Sequence, residues 1–377
     1  MTSTYRSICF VGADNYPVLN PEYQRHYIGG ESVQQTLLAK AFVDLGYDVS
    51  MVVTDLGQPD AELIDGVRVF KTFRPNAGLP VFRFIHPRFT GLWQALKRAD
   101  ADIYYQSCAS VATGIVAWFC RKYDRKFVFR VAHDTDLMPG QQLIPYWRDK
   151  KIYEYGLRQA DQIINQSRQQ QDLLRENYHL EGPALNMVVQ LPAPDEIYSR
   201  DIDVLWVNNL RPFKRPELVL ELARKLPDLR IVMIGGPCHG HEDLYEEVCQ
   251  QAEGIGNLDF KGHVPYQEVN AYYSRSRVFV NTSDSEGFPN SFLQAWVRGT
   301  PVLSFFDPDG IILREGLGSS PGDVDQMVAA VNELGGDDDR LAALSAHVSA
   351  FAHDHYSPAA VAVRYHALFQ NIPGNGC

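Results

Sequence analysis

The chain alternates short apolar runs with longer segments in which apolar residues recur every three or four positions. The runs have the length of buried strands, and the longer segments have the periodicity of helices that pack on one face. Strands are predicted at residues 7–12, 49–53, 102–105, 127–131, 160–164, 204–207, 229–234, 278–281 and 302–305. Helices are predicted at residues 33–45, 218–226, 289–298 and 357–369. Strands that alternate with helices predict an α/β fold with parallel sheets.

The length of 377 residues is sufficient for about two domains, each with its own apolar core. The proline-containing stretch at 191–194 is predicted to link them, so the domains are expected at residues 1–195 and 196–355. The first strand-helix-strand unit lacks a Gly-x-Gly-x-x-Gly sequence, which argues against a dinucleotide-binding Rossmann enzyme.

Composition narrows the class of protein further. The formal net charge is −11 and the pI is near 5.5, so a nucleic-acid partner is not expected. Six cysteines are scattered without a Cys-x-x-Cys pair, which fits a reducing compartment better than a disulfide framework. The first residues lack the apolar segment of a secretion signal, and the apolar stretch at 111–120 is half the ~20 residues of a spanning helix. We therefore expect a cytoplasmic protein.

The stretch 284–296 places a loop and a helix directly after the predicted strand at 278–281. Pro289 suits the first helical position, because the amide that proline lacks has no intrahelical partner there. The apolar spacing turns Gln294 away from the core, next to the loop that holds Glu286. A helix N-terminus favours phosphate, and both side chains could accept hydrogen bonds from sugar or ribose hydroxyls. The alternative is an ordinary helix start beside a solvated glutamate.

Residues 208–217 form a basic junction between a predicted strand and a predicted helix. Arg211 could pair with a diphosphate through its bidentate guanidinium, and Lys214 could act as a point charge beside it. The alternative is a solvated basic turn. Glycine pairs at 29–30 and 235–236 could let the backbone approach a phosphate or sugar, and for the first pair the alternative is a turn that needs positive φ.

His133 follows the predicted strand at 127–131. The carboxyl ends of strands are where α/β sheets bind ligands, although a lone histidine is usually structural.

Residues 286–303, EGFPNSFLQAWVRGTPVL, resemble the signature of retaining glycosyltransferases with the GT-B fold, the family-four group. The family pattern is a glutamate, seven residues, a second glutamate and then Gly-Thr-Pro-Val. Glu286 matches the first glutamate, whereas Gln294 replaces the second. An amide can still bind a ribose diol, but it has one acceptor oxygen and no charge.

The resemblance extends to the basic junction and to other parts of the chain. Lys214 aligns with the family lysine, while Asn209 occupies the family arginine position and Arg211 could substitute from two residues along. The segments that also resemble the family are the glycine loop and first helix at 29–54, the sugar-contacting His133, the base-reading loop at 257–264 and the C-terminal helix at 357–369.

The resemblance implies an α/β GT-B fold: two Rossmann-like domains, a cleft between them that holds the active site, and residues 356–377 crossing back to the first domain. It implies transfer of a sugar from a nucleotide-sugar to an acceptor hydroxyl with retention of configuration, in polysaccharide or glycolipid biosynthesis. The implied catalytic residues are His133, Arg211, Lys214 and Glu286. The implied donor-binding residues are Gly29, Gly30, Gly235, Gly236, Val264, Gly287, Phe288, Pro289, Asn290, Ser291 and Gln294.

Two Asp-x-Asp sequences, at 134–136 and 307–309, match the metal motif of glycosyltransferases with a different fold. In a GT-B chain we interpret both as chance, so no metal and no cofactor are expected. The nucleotide-sugar would be a substrate.

Residues 67–98 contain seven basic residues, no acidic residue and several aromatic residues. One hypothesis is peripheral contact with anionic lipid or a lipid-linked pyrophosphate. The other is that the aromatic side chains are core and the basic ones solvated. The expected partners are therefore a nucleotide-sugar donor and a saccharide or lipid-linked acceptor, with membrane contact left open.

Three rival functions remain. A GT-B sugar-nucleotide epimerase shares the fold, but residues 286–302 resemble transferases better. A homologue with impaired catalysis is compatible with Gln294. A two-lobed solute-binding protein should carry a secretion signal, and none is recognised.

Overall fold

A computed structural model describes residues 5–23, 29–79, 82–193, 196, 199–238, 240–284 and 286–373. The chain divides into two compact units. The first comprises Met1–Val188 together with Pro358–Cys377, and the second comprises Val189–Ser357. Residues 194 and 195, at the predicted domain boundary, lie outside the described residues.

The first unit is built on a parallel sheet with one antiparallel edge strand. Within the described residues the sheet has seven strands in the order β3-β4-β2-β1-β5-β6-β7, and only β3 runs antiparallel to its neighbour. The strands are β1 (Ser7–Val11), β2 (Asp48–Val53), β3 (Glu62–Ile64), β4 (Val67–Lys71), β5 (Ile103–Ser107), β6 (Lys126–Arg130) and β7 (Gln162–Ile164). The helices are α1 (Tyr16–Leu19), α2 (Gly30–Asp44), α3 (Thr90–Ala99), α4 (Val111–Tyr123), α5 (Trp147–Arg158) and α6 (Arg168–Tyr178).

The second unit repeats the arrangement with a sheet that is parallel throughout. Its described strands follow the order β10-β9-β8-β11-β12-β13. The strands are β8 (Ile202–Val207), β9 (Ile231–Ile234), β10 (Leu258–Phe260), β11 (Ser276–Asn281), β12 (Val302–Ser304) and β13 (Gly318–Ser319). The helices are α7 (Pro216–Lys225), α8 (Glu242–Ala252), α9 (Tyr266–Ser274), α10 (Asn290–Val297), α11 (Ile311–Arg314), α12 (Val324–Gly335) and α13 (Asp338–Tyr356).

The last helix, α14 (Pro358–Gln370), belongs to the first unit although it follows the second in sequence. Its apolar residues Tyr365 and Phe369 are buried in the core beneath α2. The Phe369 ring stacks on Phe42 of α2 with centroids 5.5 Å apart. The apolar periodicity at 357–369 therefore marks the face of α14 that is buried in the first unit.

The predicted α/β class with parallel sheets is confirmed. Many observed elements, for example α3, α5, α8 and α12, were not predicted, and the predicted elements that are observed differ mainly at their ends: α2 starts at Gly30 rather than Val33, and α7 starts at Pro216 rather than Leu218. Such shifts arise because the first turn of a helix carries no apolar signal of its own.

Several side chains of the basic and aromatic segment at 67–98 are used inside the first unit, while residues 80 and 81 of the segment lie outside the described residues. Phe70 is buried, and Phe89 and Trp93 pack against the same core. Lys71 pairs with Asp55, and Arg98 pairs with Asp60, although both acids lie outside the segment in sequence. The segment as a whole is therefore not one exposed basic surface. Among the described residues, no helix is long and apolar enough to cross a membrane.

Candidate active site

The order in which the chain adds strands to the second sheet reverses between β8 and β11. The chain winds outward from β8 through β9 to β10 on one side, and from β11 through β12 to β13 on the other. Loops at the carboxyl ends of strands diverge at such a switch point and leave a crevice between them, which is where open α/β sheets bind ligands. The β8 loop is the basic junction at 208–215, and the β11 loop is the stretch at 282–289.

Lys214 and Glu286 meet at this switch point. The Lys214 Nζ lies 2.6 Å from Glu286 Oε2, and the two side chains are only 11% and 13% exposed. The other carboxylate oxygen, Oε1, accepts hydrogen bonds from Asn281 Nδ2 at 3.1 Å and Ser283 Oγ at 2.6 Å. The two residues stand 72 positions apart in the chain, and the pairing of β8 with β11 brings them together.

The charge on Lys214 is not fully compensated by its partner. Burial lowers the pKa of Lys214, Glu286 opposes that shift, and Arg211 adds to it by repulsion. Because the net direction is downward, the desolvation of the ammonium and the repulsion from Arg211 together exceed the stabilisation from Glu286. A buried cation in this state would gain from a further anion such as a phosphate.

The two loops are joined to each other independently of the ion pair. Thr282 Oγ1 donates to the Lys214 carbonyl at 2.7 Å and accepts from the buried Trp206 Nε1 at 3.0 Å. The Asp284 amide donates to the Phe213 carbonyl at 3.0 Å. These bonds hold the backbone at Lys214 and at the start of the β11 loop in place. The side chains of Lys214 and Glu286 therefore extend from two loops that are hydrogen-bonded to each other.

The loops after β9 and β10 lie beside the β8 loop at the same edge of the sheet. A Cβ on Gly235 would come within 2.3 Å of the Asn208 carbonyl oxygen, and one on Gly236 within 3.2 Å of His263 Cβ. The Gly235 amide donates to the Gly262 carbonyl at 2.9 Å. Gly235 therefore lets three loops approach closely, and Val264 follows in the third of them.

Arg211 lies in the same loop as Lys214 but has a different contact. Its Nε donates to Cys238 Sγ at 3.0 Å, and this links the β8 and β9 loops. A thiol is a weak acceptor, so a phosphate oxygen could replace it at little cost. Arg211 is close enough to Lys214 to lower the pKa of that lysine by repulsion, and its role as a substitute for the family arginine stays a prediction.

Helix α10 begins one residue later than predicted, so Pro289 is its N-cap and not its first residue. Asn290 and Ser291 form the start of the helix, and no acidic side chain lies in its first turn. Phe288 packs on Trp296 and Tyr356, with ring centroids 6.3 and 5.8 Å apart, and this contact fixes the loop that contains Gly287. The N-terminal end of α10 therefore directly follows the loop of Glu286, as predicted.

Gln294 is only 9% exposed, which differs from the predicted open polar face. Its Nε2 donates to Asn270 Oδ1 of α9 at 3.1 Å. The reason is that α9 packs against α10, a contact that helical periodicity alone does not reveal. The amide thus has a partner for its NH₂ group, which leaves its Oε1 to act as an acceptor.

His133 lies in the first unit, at the end of β6, where it caps the 3₁₀ turn Asp134–Leu137. Its Nδ1 accepts from the Thr135 amide at 3.3 Å. Among the described residues Nε2 has no hydrogen-bond partner. The Asp136 carboxylate accepts from the amides of Ala132 and His133 at 3.0 and 3.1 Å, and this holds the backbone of the histidine.

Gly29 and Gly30 begin α2 at the same edge of the first sheet. Gly29 is its N-cap with φ −73°, so the alternative that this residue serves a turn with positive φ is wrong. The next residue, Glu31, pairs with the buried Arg130 at the end of β6, whose Nη1 donates to both carboxylate oxygens at 2.8 and 3.0 Å. This pair ties the glycine segment to the strand that precedes His133.

The sequence reasoning missed Asn281 and Ser283, the two donors that orient Glu286, and Asp136, which orients His133. The sequence did contain a pattern from which Asn281 and Ser283 could have been predicted. Both follow the apolar run of β11 at its carboxyl end, where buried polar side chains are expected to serve a site.

The Asp-x-Asp sequences are used in capping. Besides Asp136, the Asp307 carboxylate accepts from the amides of Ile312 and Leu313 at 2.8 and 3.2 Å. Within the described part of the chain, no group of three or more histidine, cysteine, aspartate or glutamate side chains is arranged to hold a metal.

Comparison with known proteins adds the family. The model for Glycosyltransferase Family 4 matches residues 28–184, and the model for Glycosyl transferases group 1 matches residues 190–346. The D-inositol 3-phosphate glycosyltransferase of Mycolicibacterium smegmatis is 30% identical over 125 residues, which make up 32% of this chain and 27% of the relative. The O-antigen biosynthesis glycosyltransferase WbnH of Escherichia coli is 31% identical over 134 residues, 34% of this chain and 36% of that protein. Each match thus spans well under half of the relative.

Solved structures share the fold over nearly the full chain. Sucrose-phosphate synthase from Thermosynechococcus elongatus covers 97% of this chain and 99% of its own, with a TM-score of 0.74 and 16% identity. Anabaena HepE, solved with UDP and glucose, covers the same shares with a TM-score of 0.72 and 15% identity. Likeness at this level of identity establishes the fold, and the two family models establish the group. The chain belongs to the family-four glycosyltransferases, which have the GT-B fold.

Proposed function

We propose that the chain transfers a sugar from a nucleotide-sugar to a hydroxyl of a saccharide or lipid-linked acceptor, with retention of the anomeric configuration. The observation that carries this proposal is the contact between Lys214 and Glu286 at the switch point of the second sheet, at 2.6 Å. This contact places the Lys214 ammonium, whose charge is only partly compensated, next to the Glu286 carboxylate, which can accept hydrogen bonds from sugar hydroxyls. HepE, which has the same fold, has been solved with UDP-glucose, and this supports a nucleotide-sugar as donor.

In this proposal the diphosphate binds Lys214 and Arg211, and the carboxylate of Glu286 turns to the hydroxyls of the sugar. The bond between the anomeric carbon and the phosphate oxygen breaks while the acceptor oxygen bonds to that carbon from the same face. The acceptor proton passes to the leaving phosphate. The two cations stabilise the negative charge that develops on the leaving group, which is where electrostatic catalysis acts.

We further propose that Gln294 accepts from a ribose hydroxyl through Oε1 and that the reaction needs no metal. The support for the second point is that Asp136 and Asp307, one from each Asp-x-Asp sequence, already accept hydrogen bonds from backbone amides. His133 is proposed to contact the transferred sugar through Nε2, in line with the family resemblance.

The test is release of nucleoside diphosphate from a panel of UDP-, GDP- and ADP-sugars, with and without candidate saccharide acceptors. Lys214→Met should lower the rate at least about 100-fold, as loss of a charge-assisted contact worth about 3 kcal/mol in the transition state would. Lys225→Met is the matched control, because Lys225 lies exposed on α7 of the same unit.

NMR of the product would settle the stereochemistry, since retention predicts that donor and product share the same anomeric configuration. Turnover that inverts it would refute the retaining part of the proposal. A protein that binds nucleotide-sugars but releases no diphosphate with any acceptor would be the impaired homologue.

A further inference from the structure

The first unit carries a concentration of exposed large apolar side chains. Two segments, residues 79–85 and 143–148, contain six of them, each between 62% and 78% exposed. They are Leu79, Phe82, Ile85, Leu143, Tyr146 and Trp147. Elsewhere among the described residues only Leu63 and Leu313 are at least 60% exposed. Scattered exposed apolar residues need no explanation, but a cluster of this kind marks an interaction site.

The two segments lie against each other. The Arg148 guanidinium carbon is 4.0 Å from the centroid of the Phe84 ring, which joins the start of α5 to the turn before α3. The Leu79 carbonyl accepts from the amides of Phe82 and Arg83, which folds the first segment back on itself. We call the resulting area, residues 79, 82–88 and 143–151, the apolar-basic surface.

The charge of this area is opposite to that of the protein. Residues 79–88 and 143–154 hold five basic side chains and two acidic side chains, in a chain with a net charge of −11. The acidic residues are Asp149, which pairs with Arg148, and Glu154, which pairs with Lys151, each at 2.7 Å, so the area keeps an excess of positive charge. The basic residues are Arg83, Arg88, Arg148, Lys150 and Lys151. Positive charge that flanks exposed tryptophan, tyrosine and aliphatic side chains is the composition that binds the interface of an anionic bilayer.

A protein partner fits the same area less well. The cores of protein interfaces are depleted in charged residues, lysine in particular. Here Arg83 lies between two phenylalanines, and three cations within residues 148–151 directly follow Trp147. Lysine and arginine can extend their heads to lipid phosphates while their stems cover apolar area.

We propose that the apolar-basic surface binds the headgroup region of an anionic lipid bilayer and inserts Phe82 and Trp147 into it. This inference does not depend on the proposed transfer reaction, since binding to vesicles is measured without donor or acceptor. If both hold, the surface would bring the enzyme to acceptors that are carried on lipids.

The experiment is flotation of the full chain with vesicles of phosphatidylcholine alone and of phosphatidylcholine with phosphatidylglycerol. We expect the protein to float with the anionic vesicles, with binding that falls as salt rises. Reversal of two charges by Arg83→Glu and Lys151→Glu should weaken that binding about 25-fold or more, as each basic residue near an anionic surface contributes about fivefold. Arg175→Glu with Lys225→Glu is the control, since both of these residues lie on other helices.

Phe82→Ser with Trp147→Ser tests insertion, and Leu63→Ser with Leu313→Ser is its control at similar exposure. Loss of flotation in the first pair and not in the second supports the proposal. Equal binding to neutral vesicles, no binding of the unaltered protein to anionic vesicles, or equal loss in the controls would overturn it. So would a dimer in solution that Phe82→Ser with Trp147→Ser dissociates, because the surface would then bind a second copy of the chain.

Discussion

The ion pair between Lys214 and Glu286 allows a detailed prediction, because the attraction between the two charges can be compared with the cost of desolvating them. At 2.6 Å and an effective dielectric of about 20, the attraction is roughly 6 kcal/mol. Desolvation costs several kcal/mol for each ion. The lowered pKa of Lys214 shows that desolvation and the repulsion from Arg211 together exceed the stabilisation that the lysine receives from Glu286. The pair as a whole therefore contributes little to stability, although each partner depends on the other.

Removing one partner should be far more damaging than removing both. Lys214→Met leaves the Glu286 carboxylate buried with only the Asn281 and Ser283 donors, and should destabilise the second unit by about 3 kcal/mol, the low end for a broken buried pair. Adding Glu286→Gln removes the stranded charge, so the double variant should recover at least half of that loss. In melting temperature the single change corresponds to a decrease of about 6–12 °C.

Thermal melts of the two single variants, the double variant and Lys225→Met provide the cycle. Hydrogen exchange of peptides from β8 and β11 reports the second unit, with peptides from β1 as an internal reference for the first. Equal stability of Lys214→Met and the unaltered protein would refute the reasoning, since the carboxylate would then not need its partner. A double variant as unstable as the sum of the singles would show that the two side chains are not coupled.

Three further outcomes are expected. Burial raises the pKa of Asp136 to about 6 from 3.8, so the stability that its protonated form contributes is fully present below about pH 4 and is lost as pH rises through 6. Urea unfolding should therefore show the stability of the unaltered protein relative to Asp136→Asn falling by about 2.5 kcal/mol between pH 4 and 7.5. Gln294→Glu should tighten nucleotide binding by about 1 kcal/mol in calorimetry, because Asn270 can turn its NH₂ to the new carboxylate; weaker binding with a lower melting temperature would mean that desolvation dominates. EDTA should leave turnover intact, and loss of activity that Mn²⁺ or Mg²⁺ restores would contradict the metal-free proposal.

Much of the local structure was predictable from the sequence, because buried parallel strands are short apolar runs and their helices are amphipathic. The run at 278–281 is part of β11, and α10 lies within one residue of the helix predicted from the glycine and proline positions around 287–301. These signals are local: each depends on neighbours within a few residues, so no knowledge of the rest of the chain is needed.

The sequence also placed Lys214 and Glu286 each in a loop after a strand, but it did not show that the loops adjoin. That depends on strand order, and β8 lies next to β11 although β9 and β10 come between them in the chain. Hydrophobic periodicity carries no information on which strand pairs with which. The contact at 2.6 Å is therefore a result of tertiary structure alone.

The orientation of polar side chains was likewise decided by packing. Gln294 sits on the predicted side of α10, yet α9 covers it, because a helix can bury a polar position when a neighbour supplies the hydrogen bond, here Asn270. The same holds for residues 67–98, where Lys71 and Arg98 are neutralised by acids that the fold brings from outside the segment. Residue type and spacing determined which groups could form a site, and the order and packing of the elements determined which of them meet, since contacts between distant residues depend on the whole chain.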